Sequence, residues 1–439
     1  MARHTSDDGP RPHRRLRLVL VALGSAATAA VVAAALTGVL PPGSQDAPGP
    51  EADAGTSAGG PASSAPATSP APEPTPEAAR FTLLAAGDIL PHGPVVASAT
   101  GADGSIDFSP LLAGIDPWVT GADLALCHLE VPVAPQGTPA SGYPLFGAPR
   151  ELVRDLGEQG WDGCSTASNH SVDRGYPGVR TTLRRLDATG MGHVGTARAA
   201  AEQDTPQLYH LERAGRQVTV AHLAATYGLN GLPMPAEAPW AVTLIDADEI
   251  VEQARAAREA GADLVLVSLH AGVEYTEVLT DQQTEVVRRL ARSRAVDLVI
   301  GHHAHVPQAI DRVGRGPDGD GMWVAYGLGN LLSNQSDDCC DPRTSNGVLL
   351  SATVTQEAPG SPARVTGVRW TGTTVDIAAG HEVRALPDLR HDPAGTTFSA
   401  AEIAARQERV ADAVGGAAKQ RIAPQEPTGP APDVVPRRG

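Results

Sequence analysis

The chain has 439 residues, of which 41% are hydrophobic, with four Cys and a formal net charge of −16. This length suits one large or two ordinary domains, and the composition excludes a wholly disordered chain and a small disulfide scaffold. Residues 1–17 carry five Arg and two Asp, which leaves −19 on the rest of the chain. So acidic a body argues against nucleic-acid binding, which requires a basic surface.

An uncharged run, residues 18–40, follows the basic residues 1–17. As a helix it would measure about 34 Å, slightly more than the ~30 Å hydrocarbon core of a bilayer. The positive flank predicts a cytoplasmic tail at 1–17 and an extracytoplasmic main domain. A cleaved signal peptide is the alternative, because Ala33–Ala35 offers small residues to a peptidase. We favour the uncleaved anchor, which predicts a single-pass protein of the cell membrane.

Composition divides the remainder into three segments. Residues 41–80 contain ten Pro and are predicted to be a disordered linker, because they bury too little apolar surface to offset the entropy of ordering. Residues 81–380 have the composition of a folded domain. Residues 381–439 form a C-terminal extension, which returns to Pro-rich, charged composition beyond about Pro424. We expect this extension to be largely disordered at its end.

Short apolar runs alternate with helical patterns through the predicted domain. The seven runs are Phe81–Ala86, Asp123–Leu129, Trp161–Ala167, Val218–Ala224, Asp263–Leu269, Val296–Ile300 and Trp323–Tyr326. Helical spacing of apolar residues lies between them, and Thr280 with Gln283 forms a capping box. This alternation predicts an α/β fold with a largely parallel sheet. From Val348 the pattern becomes hairpin-like, which predicts an antiparallel element that completes a second sheet.

Polar residues of a metal-binding type follow these apolar runs. They are Asp88, Glu130, Asn169, His170, His270, His302, His303, His305 and Asn330. Open α/β sheets bind ligands at the carboxyl ends of their strands. A mixed oxygen and nitrogen set suits Mn, Fe, Zn or Mg, and two ions about 3.5–4 Å apart can share a carboxylate. We therefore predict a site for one or two divalent ions.

Each of these residues alone also has a structural explanation. A Gly-Asp pair after a strand commonly forms a turn, and a lone His170 is compatible with a satisfied core histidine. The pair His303 and His305 is more specific, because alternate residues of an extended chain point to one side. The recurrence of histidine favours the metal site, since six of the fourteen His lie at these strand ends: His128, His170, His270, His302, His303 and His305.

The motifs resemble those of the CapA family, membrane-anchored proteins of poly-γ-glutamate capsule synthesis. The similarity rests on Gly-Asp-Ile-Leu at 87–90, Ser-Asn-His-x-x-Asp-x-Gly at 168–175, Thr-Tyr-Gly-Leu-Asn at 226–230, His-x-Gly-Val-Glu-Tyr at 270–275, Gly-His-His-x-His-Val at 301–306 and Tyr-Gly-Leu-Gly-Asn at 326–330. It covers about residues 81–350. The family's domain is similar to calcineurin-like metallophosphatases, which implies a four-layer α/β/β/α sandwich of two mixed sheets.

The resemblance implies a role for each polar residue. Asp88 and His305 would bind a first ion, and Glu130 would bridge to a second ion held by Asn169, His270 and His303. His170 would face the substrate. In a hydrolase it would protonate the leaving group, oriented by Asp173. The substrate or the outer surroundings of the ions would be contacted by His92, His128, Asn230, His302 and Asn330.

Two positions depart from the related patterns. Leu90 stands where the first metallophosphatase motif, Asp-x-His, has a histidine, so one ligand of the first ion is missing. His92 is either a substitute ligand or an exposed loop residue. His128 stands where the family usually has Asn, two residues before Glu130 and on the same strand face.

Two functions remain open at this stage. The first is a metal-dependent hydrolase or transferase for an extracytoplasmic anionic polymer or phosphorylated substrate. The second is a non-catalytic accessory that binds membrane polymer-synthase subunits. Arg174 and Arg198 are candidates to offset the acidic surface near the site, or are ordinary surface charges.

The four cysteines are predicted to lie outside the cytoplasm, where disulfides persist. Cys127 and Cys164 lie in two successive apolar runs and either form a disulfide or stay buried as small hydrophobic residues. Cys339 and Cys340 are adjacent, and form a vicinal disulfide or pair elsewhere.

Overall fold

The computed structural model describes residues 76–437, which belong to one compact unit. The predicted tail 1–17, the predicted anchor 18–40 and nearly all of the linker 41–80 lie outside the described residues. Within 76–437, no helix is both long enough and apolar enough to cross a membrane.

The described residues form sixteen strands, ten α-helices and two short 3-10 helices. The strands are β1 (Ala79–Ile89), β2 (Leu124–Leu129), β3 (Gly163–Ser165), β4 (Gly192–Val194), β5 (Gln207–Arg213), β6 (Arg216–Thr226), β7 (Leu264–His270), β8 (Leu298–His302), β9 (Ile310–Val313), β10 (Met322–Ala325), β11 (Asn330–Leu332), β12 (Asn346–Gln356), β13 (Arg364–Asp376), β14 (Glu382–Ala385), β15 (Lys419–Gln420) and β16 (Asp433–Val435). The helices are α1 (Gly93–Ser98), α2 (Ser109–Leu112), α3 (Asp116–Thr120), α4 (Glu151–Gln159), α5 (Gly175–Ala188), α6 (Ala200–Gln203), α7 (Ala247–Glu259), α8 (Asp281–Ser293), α9 (Leu386–His391) and α10 (Ala400–Val414). The 3-10 helices are Ala113–Ile115 and Pro342–Ser345.

The strands form two mixed sheets, as the family resemblance implied. The first has the order β14-β13-β12-β1-β2-β3-β4, with β11 beside β1 and β15 beside β13. The second has the order β16-β5-β6-β7-β8-β10-β9. In both sheets the strands that lead to the candidate site are parallel, and antiparallel strands extend the edges. All seven predicted apolar strands are confirmed.

The predicted position of the antiparallel element is wrong. The hairpin of β12 and β13 extends the first sheet, where β12 pairs with β1, and does not complete the second sheet. A strand's alternation of apolar and polar residues fixes which face is buried but not which strand lies beside it. The second sheet is completed by β5, β9 and β16, which the sequence analysis did not identify.

Helices cover the outer face of each sheet, which gives four layers. Leu152 and Leu183 of α4 and α5 pack on the first sheet, and Ile250 and Leu290 of α7 and α8 pack on the second. A third apolar cluster fills the space between the sheets. The predicted capping box that starts α8 is confirmed: Thr280 accepts from Gln283 N, and the Gln283 side chain bonds back to Thr280 N.

The C-terminal extension is folded as far as the structure describes it, so the expectation of disorder beyond Pro424 is wrong for residues 425–437. Strand β15 pairs with β13 of the first sheet, and β16 pairs with β5 of the second. Arg437 is buried and donates to the carbonyls of His193 and Glu202. The Pro-rich segment buries little of its own apolar surface, but the two sheet edges and these carbonyls hold it in place.

Candidate metal centre

Strand register places three polar residues side by side at the end of the first sheet. Asp88 aligns with His128 of β2 on one side and with Asn330 of β11 on the other. Gly87 permits this close approach, because a Cβ there would overlap the Gly329 carbonyl, to which Asp88 N donates at 2.9 Å. The carboxylate of Asp88 is fully buried at this junction.

Asp88 meets the loop that follows β8 of the second sheet. Its Oδ2 accepts from His303 N at 3.0 Å and lies 3.2 Å from His305 Nδ1. His303 and His305 have φ values of 89° and 56°, in the left-handed region. The expected extended geometry of this pair is therefore wrong, and a turn brings the two imidazoles to the site. A left-handed backbone conformation at a non-glycine residue costs conformational energy, and such residues are typical of functional sites.

Glu130 lies at the centre of the site with an unpaired carboxylate. Its Oε1 is 3.7 Å from His305 Nε2 and 3.8 Å from His270 Nε2, too far for a hydrogen bond. Neither Glu130 oxygen nor His303 Nδ1 has a hydrogen-bond partner among residues 76–437, although all three atoms are buried. Burial raises the pKa of Glu130 to about 8. Buried polar atoms are costly when unpaired, so this arrangement fits a cation between the carboxylate and the imidazoles.

The second side of the site is formed by an amide and an imidazole. His270 Nε2 lies 2.8 Å from Asn169 Oδ1, and both residues are buried. The Asn169 side chain also donates to Asn230 Oδ1 at 3.1 Å. Asn169, His270 and the nearer Glu130 oxygen thus approach one another from three separate segments.

His303 and His305 differ in the protonation state that their surroundings favour. Burial, helped by His305, lowers the pKa of His303 to about 3, so His303 is neutral and offers lone pairs to a metal. Burial alone would lower the pKa of His305, but Glu130 and Asp88 outweigh it and raise the value to about 10. The carboxylates therefore favour a positive charge at this position, which a bound divalent ion also supplies.

Two groups of described side chains bring ligand atoms within 4.8 Å of one another. One is Glu130, His303 and His305, and the other is Asp88, His128 and His302. In the second group the His128 and His302 rings stack at 3.9 Å with an angle of 15° between their planes. Their lone pairs thus lie in two separate, nearly parallel planes, which disfavours binding of one ion between the rings. The first group, with Asp88, Asn169 and His270 beside it, fits a metal better.

A histidine and a carboxylate lie next to these groups without belonging to them. His170 Nδ1 is 2.7 Å from Asp173 Oδ2, which also accepts from Phe146 N at 2.8 Å. Burial opposes the charged form of His170, but Asp173 and Glu130 outweigh burial and raise its pKa. Asn230 Nδ2 lies 3.4 Å from His170 Nε2 and so links His170 to Asn169.

The family model described as "Bacterial capsule synthesis protein PGA_cap" matches residues 82–335, more than half of the chain. The chain belongs to this family. It is 23% identical over 268 residues to the capsule biosynthesis protein CapA of Bacillus anthracis, covering 59% of this chain and 61% of that protein. It is 26% identical over 186 residues to the PGA biosynthesis protein CapA of Bacillus subtilis (strain 168), covering 42% and 46%. The chain therefore spans about three fifths and about half of these two relatives. The predicted resemblance to CapA is confirmed.

A further relative and two solved structures are similar over part of their length. A probable polyglutamine synthesis accessory protein of Mycobacterium tuberculosis (H37Rv) is 27% identical over 271 residues, covering 57% of this chain and 68% of that protein. The 5'-nucleotidase precursor of Thermus thermophilus superposes with a TM-score of 0.40 and 13% identity, covering 76% of this chain and 58% of that structure. The calcineurin-like phosphoesterase YfkN of Bacillus subtilis gives 0.41 and 12%, covering 76% and 97%.

In this PGA_cap chain two residues orient members of the ligand groups: Asn330 lies behind the first group, and His302 belongs to the second. Asn330 Oδ1 is 3.0 Å from His305 Nδ1, and its amide donates to Gln335 and to the Thr344 carbonyl, so it orients His305. His302 Nδ1 is 3.2 Å from Asp88 Oδ1 and orients that carboxylate.

His92 lies outside both ligand groups found among the described residues. Its Nδ1 accepts from Asn334 N at 3.4 Å, and its ring meets Phe146 edge-on at 5.1 Å. Burial lowers its pKa to about 4. The structure thus places His92 beside Phe146, near enough to His305 and His170 for their charges to lower its pKa further.

The two arginines considered for the site are occupied elsewhere. Arg174 donates to the carbonyls of Phe146 and Pro139, and Arg198 forms ion pairs with Asp187 and Glu202.

The sequence did not indicate that the rings of Tyr227 and Tyr275 lie beside the site. The Tyr227 ring lies 4.5 Å from that of His303, and the Tyr275 ring lies 6.1 Å from that of His305. Both tyrosines lie in motifs that carried the family resemblance, which was the available signal.

Proposed function

We propose that this chain is a membrane-anchored, extracytoplasmic protein of poly-γ-glutamate capsule synthesis with a metal-dependent hydrolase or transferase site. Membership of the PGA_cap family and similarity to proteins named for capsule and PGA biosynthesis support the process. The basic residues 1–17 and the apolar run 18–40 support the topology.

The buried, unpartnered carboxylate of Glu130 carries the proposal of a metal site. Three imidazoles and an amide lie around it, yet none hydrogen-bonds to its oxygens within the described part of the chain. A scaffold gains nothing from this arrangement, because each buried unpaired polar atom costs stability. A divalent ion satisfies the carboxylate and the neutral imidazole together.

The residues divide into those that would hold ions and those that would act on the substrate. Asp88 and His305 would hold a first ion, Glu130 would bridge, and Asn169, His270 and His303 would hold a second. Bound ions polarise a phosphoryl or acyl oxygen and lower the pKa of water from ~15.7 toward ~7. His170 would give its proton to the leaving group, while Asp173 keeps the imidazole oriented and Asn230 positions the substrate.

A non-catalytic accessory of a membrane polymer-synthesis or export complex is the second candidate. Leu90 favours it, because the chain lacks one ligand of the metallophosphatase pattern. The His170–Asp173 pair favours catalysis, because a buried imidazole with a raised pKa is suited to donate protons. The partners of an accessory would be the membrane synthase subunits.

The two candidates are separated by metal content and turnover of the purified full chain. We expect one or two equivalents of Mn, Fe, Zn or Mg, and metal-dependent turnover of an aryl phosphodiester or of γ-glutamyl polymer. Glu130→Gln and His303→Ala should lose bound metal and turnover, whereas His391→Ala, a change at an exposed histidine, should lose neither. Unchanged turnover in both site variants would contradict the proposed roles. A metal-free, inert chain that binds synthase subunits would favour the accessory.

A further inference from the structure

Exposed apolar side chains are concentrated on three loops of the described chain, residues 130–150, 227–246 and 271–280. Six of the seven large hydrophobic residues that are exposed lie in these loops: Tyr143 (79%), Leu145 (49%), Tyr227 (38%), Leu244 (45%), Val273 (54%) and Val278 (74%). Leu244 pairs with Thr226, the residue before Tyr227, and Ile422 lies in the C-terminal segment. Clustered exposed apolar side chains commonly mark a binding surface.

Each of these loops contacts the candidate metal centre through an aromatic ring. Phe146 meets the His170 ring edge-on at 4.8 Å, and Tyr227 lies 4.5 Å from the His303 ring. Tyr275 lies 6.1 Å from the His305 ring, and its backbone N–H donates to Ala304 O at 2.8 Å. The apolar surface is therefore continuous with the site.

Internal contacts hold the loops in place. Arg174 donates to Phe146 O at 3.1 Å, to Pro139 O at 3.2 Å and to Ser141 Oγ. Arg343 donates to Tyr275 O at 2.9 Å, and the Tyr275 hydroxyl accepts from Gln335 at 3.2 Å. A surface fixed in this way loses little entropy when a ligand binds.

The only positive side chain in these loops is Arg150, at the end of the first loop, and it is paired with Glu151 at 3.0 Å. Residues 131–149 are uncharged, and residues 227–245 and 271–280 contain three Glu and neither Lys nor Arg. Glu274 is exposed, and after burial it is the largest influence that raises the pKa of Tyr275. Arg343 is paired with Asp341 and with Glu277 at 2.9 Å. A long polyanion on these loops would be repelled, although a single anionic group could still reach the ions.

We propose that the three loops bind the apolar part of a substrate, so that the site takes a phosphate ester of an apolar alcohol and not a polyanionic chain. This inference rests on the proposed metal-dependent function. In hydrolysis, the water oxygen bonds to phosphorus and the phosphorus–alcohol oxygen bond breaks. His170 supplies the proton that the alcohol oxygen takes up. The products are phosphate and an apolar alcohol, and the anionic centre lies at the ions while the organic part lies on Tyr143 and Tyr227.

Small non-hydrolysable probes test this with the full, metal-loaded chain. Benzylphosphonate and methylphosphonate carry the same charge, and only the first has a ring for the loops. We expect benzylphosphonate to bind about ten- to a hundredfold tighter in calorimetric titration, the gain from burying one aromatic ring. Tyr227→Ala and Tyr143→Ala should each reduce this ratio, and Tyr227→Phe should keep most of it. Ile422→Ala, a change at an exposed apolar residue of the C-terminal segment, should leave the ratio intact.

The outcomes separate this inference from the function on which it rests. Equal affinity for both phosphonates by a chain with normal metal content would overturn the inference alone. Tighter binding of a γ-glutamate oligomer than of benzylphosphonate would also overturn it, as would metal-independent binding to vesicles of neutral lipid through the same tyrosines. A chain that binds neither metal nor phosphonate would overturn the proposed function as well.

Discussion

His270 Nδ1 lies 2.9 Å from His128 Nε2, and His128 Nδ1 lies 2.7 Å from Ser165 Oγ. The other nitrogen of His270 is the one that faces Asn169 and Glu130. A ring nitrogen binds a metal only when it is unprotonated, so a metal-bound His270 must donate from Nδ1 to His128. His128 then donates to Ser165. The histidine that replaces the usual family Asn thus fixes the orientation of a proposed ligand.

Removing the acceptor for His270 should weaken metal binding. We expect His128→Phe to lower the affinity for Mn or Zn about 10- to 100-fold, the usual effect of losing a partner that orients a ligand. His128→Asn retains an acceptor and should lose less, and Ser165→Ala should lose least. Titration calorimetry with the metal alone measures all three. Wild-type affinity in His128→Phe would refute this role of His128.

The His170–Asp173 pair should control the alkaline side of the pH profile. Asp173→Asn keeps an acceptor for Phe146 N but removes the negative charge that raises the pKa of His170. A general acid acts only when protonated, so turnover falls as pH rises through its pKa. In Asp173→Asn we expect this fall to begin at a lower pH. The pH dependence of kcat measures the shift, and an unchanged alkaline limb would exclude His170 as the acid.

The site residues that could be predicted are those at which a buried apolar strand ends in a polar side chain. His270 is the last residue of β7 and Asp88 the second-last of β1, and both strands have wholly buried final stretches, so polar groups there required an explanation. The left-handed turn at His303 and His305 was not predictable, because it is stabilised by contacts with Asp88 that are distant in sequence. Local propensity disfavours that turn.

The strand partners and the fold of the C-terminal segment could not be predicted from the sequence either, because they also depend on contacts that are distant along the chain. The pairing of β12 with β1 depends on contacts some 270 residues apart, about which alternation contains no information. The fold of residues 425–437 depends on free sheet edges and on buried carbonyls that exist only once the domain has formed. Composition predicts the entropy of such a segment but not these partners.

The disulfide between Cys127 and Cys164 should contribute strongly to stability. It joins neighbouring strands β2 and β3 and closes a segment with a sequence separation of 37 residues. Replacing both cysteines by Ala should lower the free energy of unfolding by about 3–4 kcal/mol according to loop-closure entropy. The vicinal pair Cys339–Cys340 encloses no loop, so its double Ala variant is a matched control with a far smaller loss. Denaturant titration compares them, and equal losses would contradict the explanation.

Asp123 precedes β2, and Asp162 precedes the neighbouring strand β3. Their carboxylates differ in whether a positive charge lies next to them. Asp123 pairs with buried Arg213 at 2.7 Å and accepts from Thr428 N at 2.6 Å. Asp162 accepts from Ala125 N at 2.7 Å, and no ion pair is found for it in residues 76–437. Burial raises the pKa of Asp162 to about 7, far above the ~3.9 of an unfolded chain.

Between about pH 4 and pH 7 the folded chain therefore holds a proton on Asp162 that the unfolded chain has lost. The free energy of unfolding therefore falls as pH rises through this window. Above pH 7 the fold bears the full cost of burying the charged Asp162 carboxylate. Asp162→Asn keeps the acceptor and removes the charge, so we expect about 1–3 kcal/mol of added stability at pH 8 and little change at pH 4. Asp123→Asn leaves Arg213 buried without its partner and should cost about 3–5 kcal/mol. Denaturant unfolding at both pH values measures the contrast, and a loss of stability in Asp162→Asn at pH 8 would show that its carboxylate is stabilised by the fold.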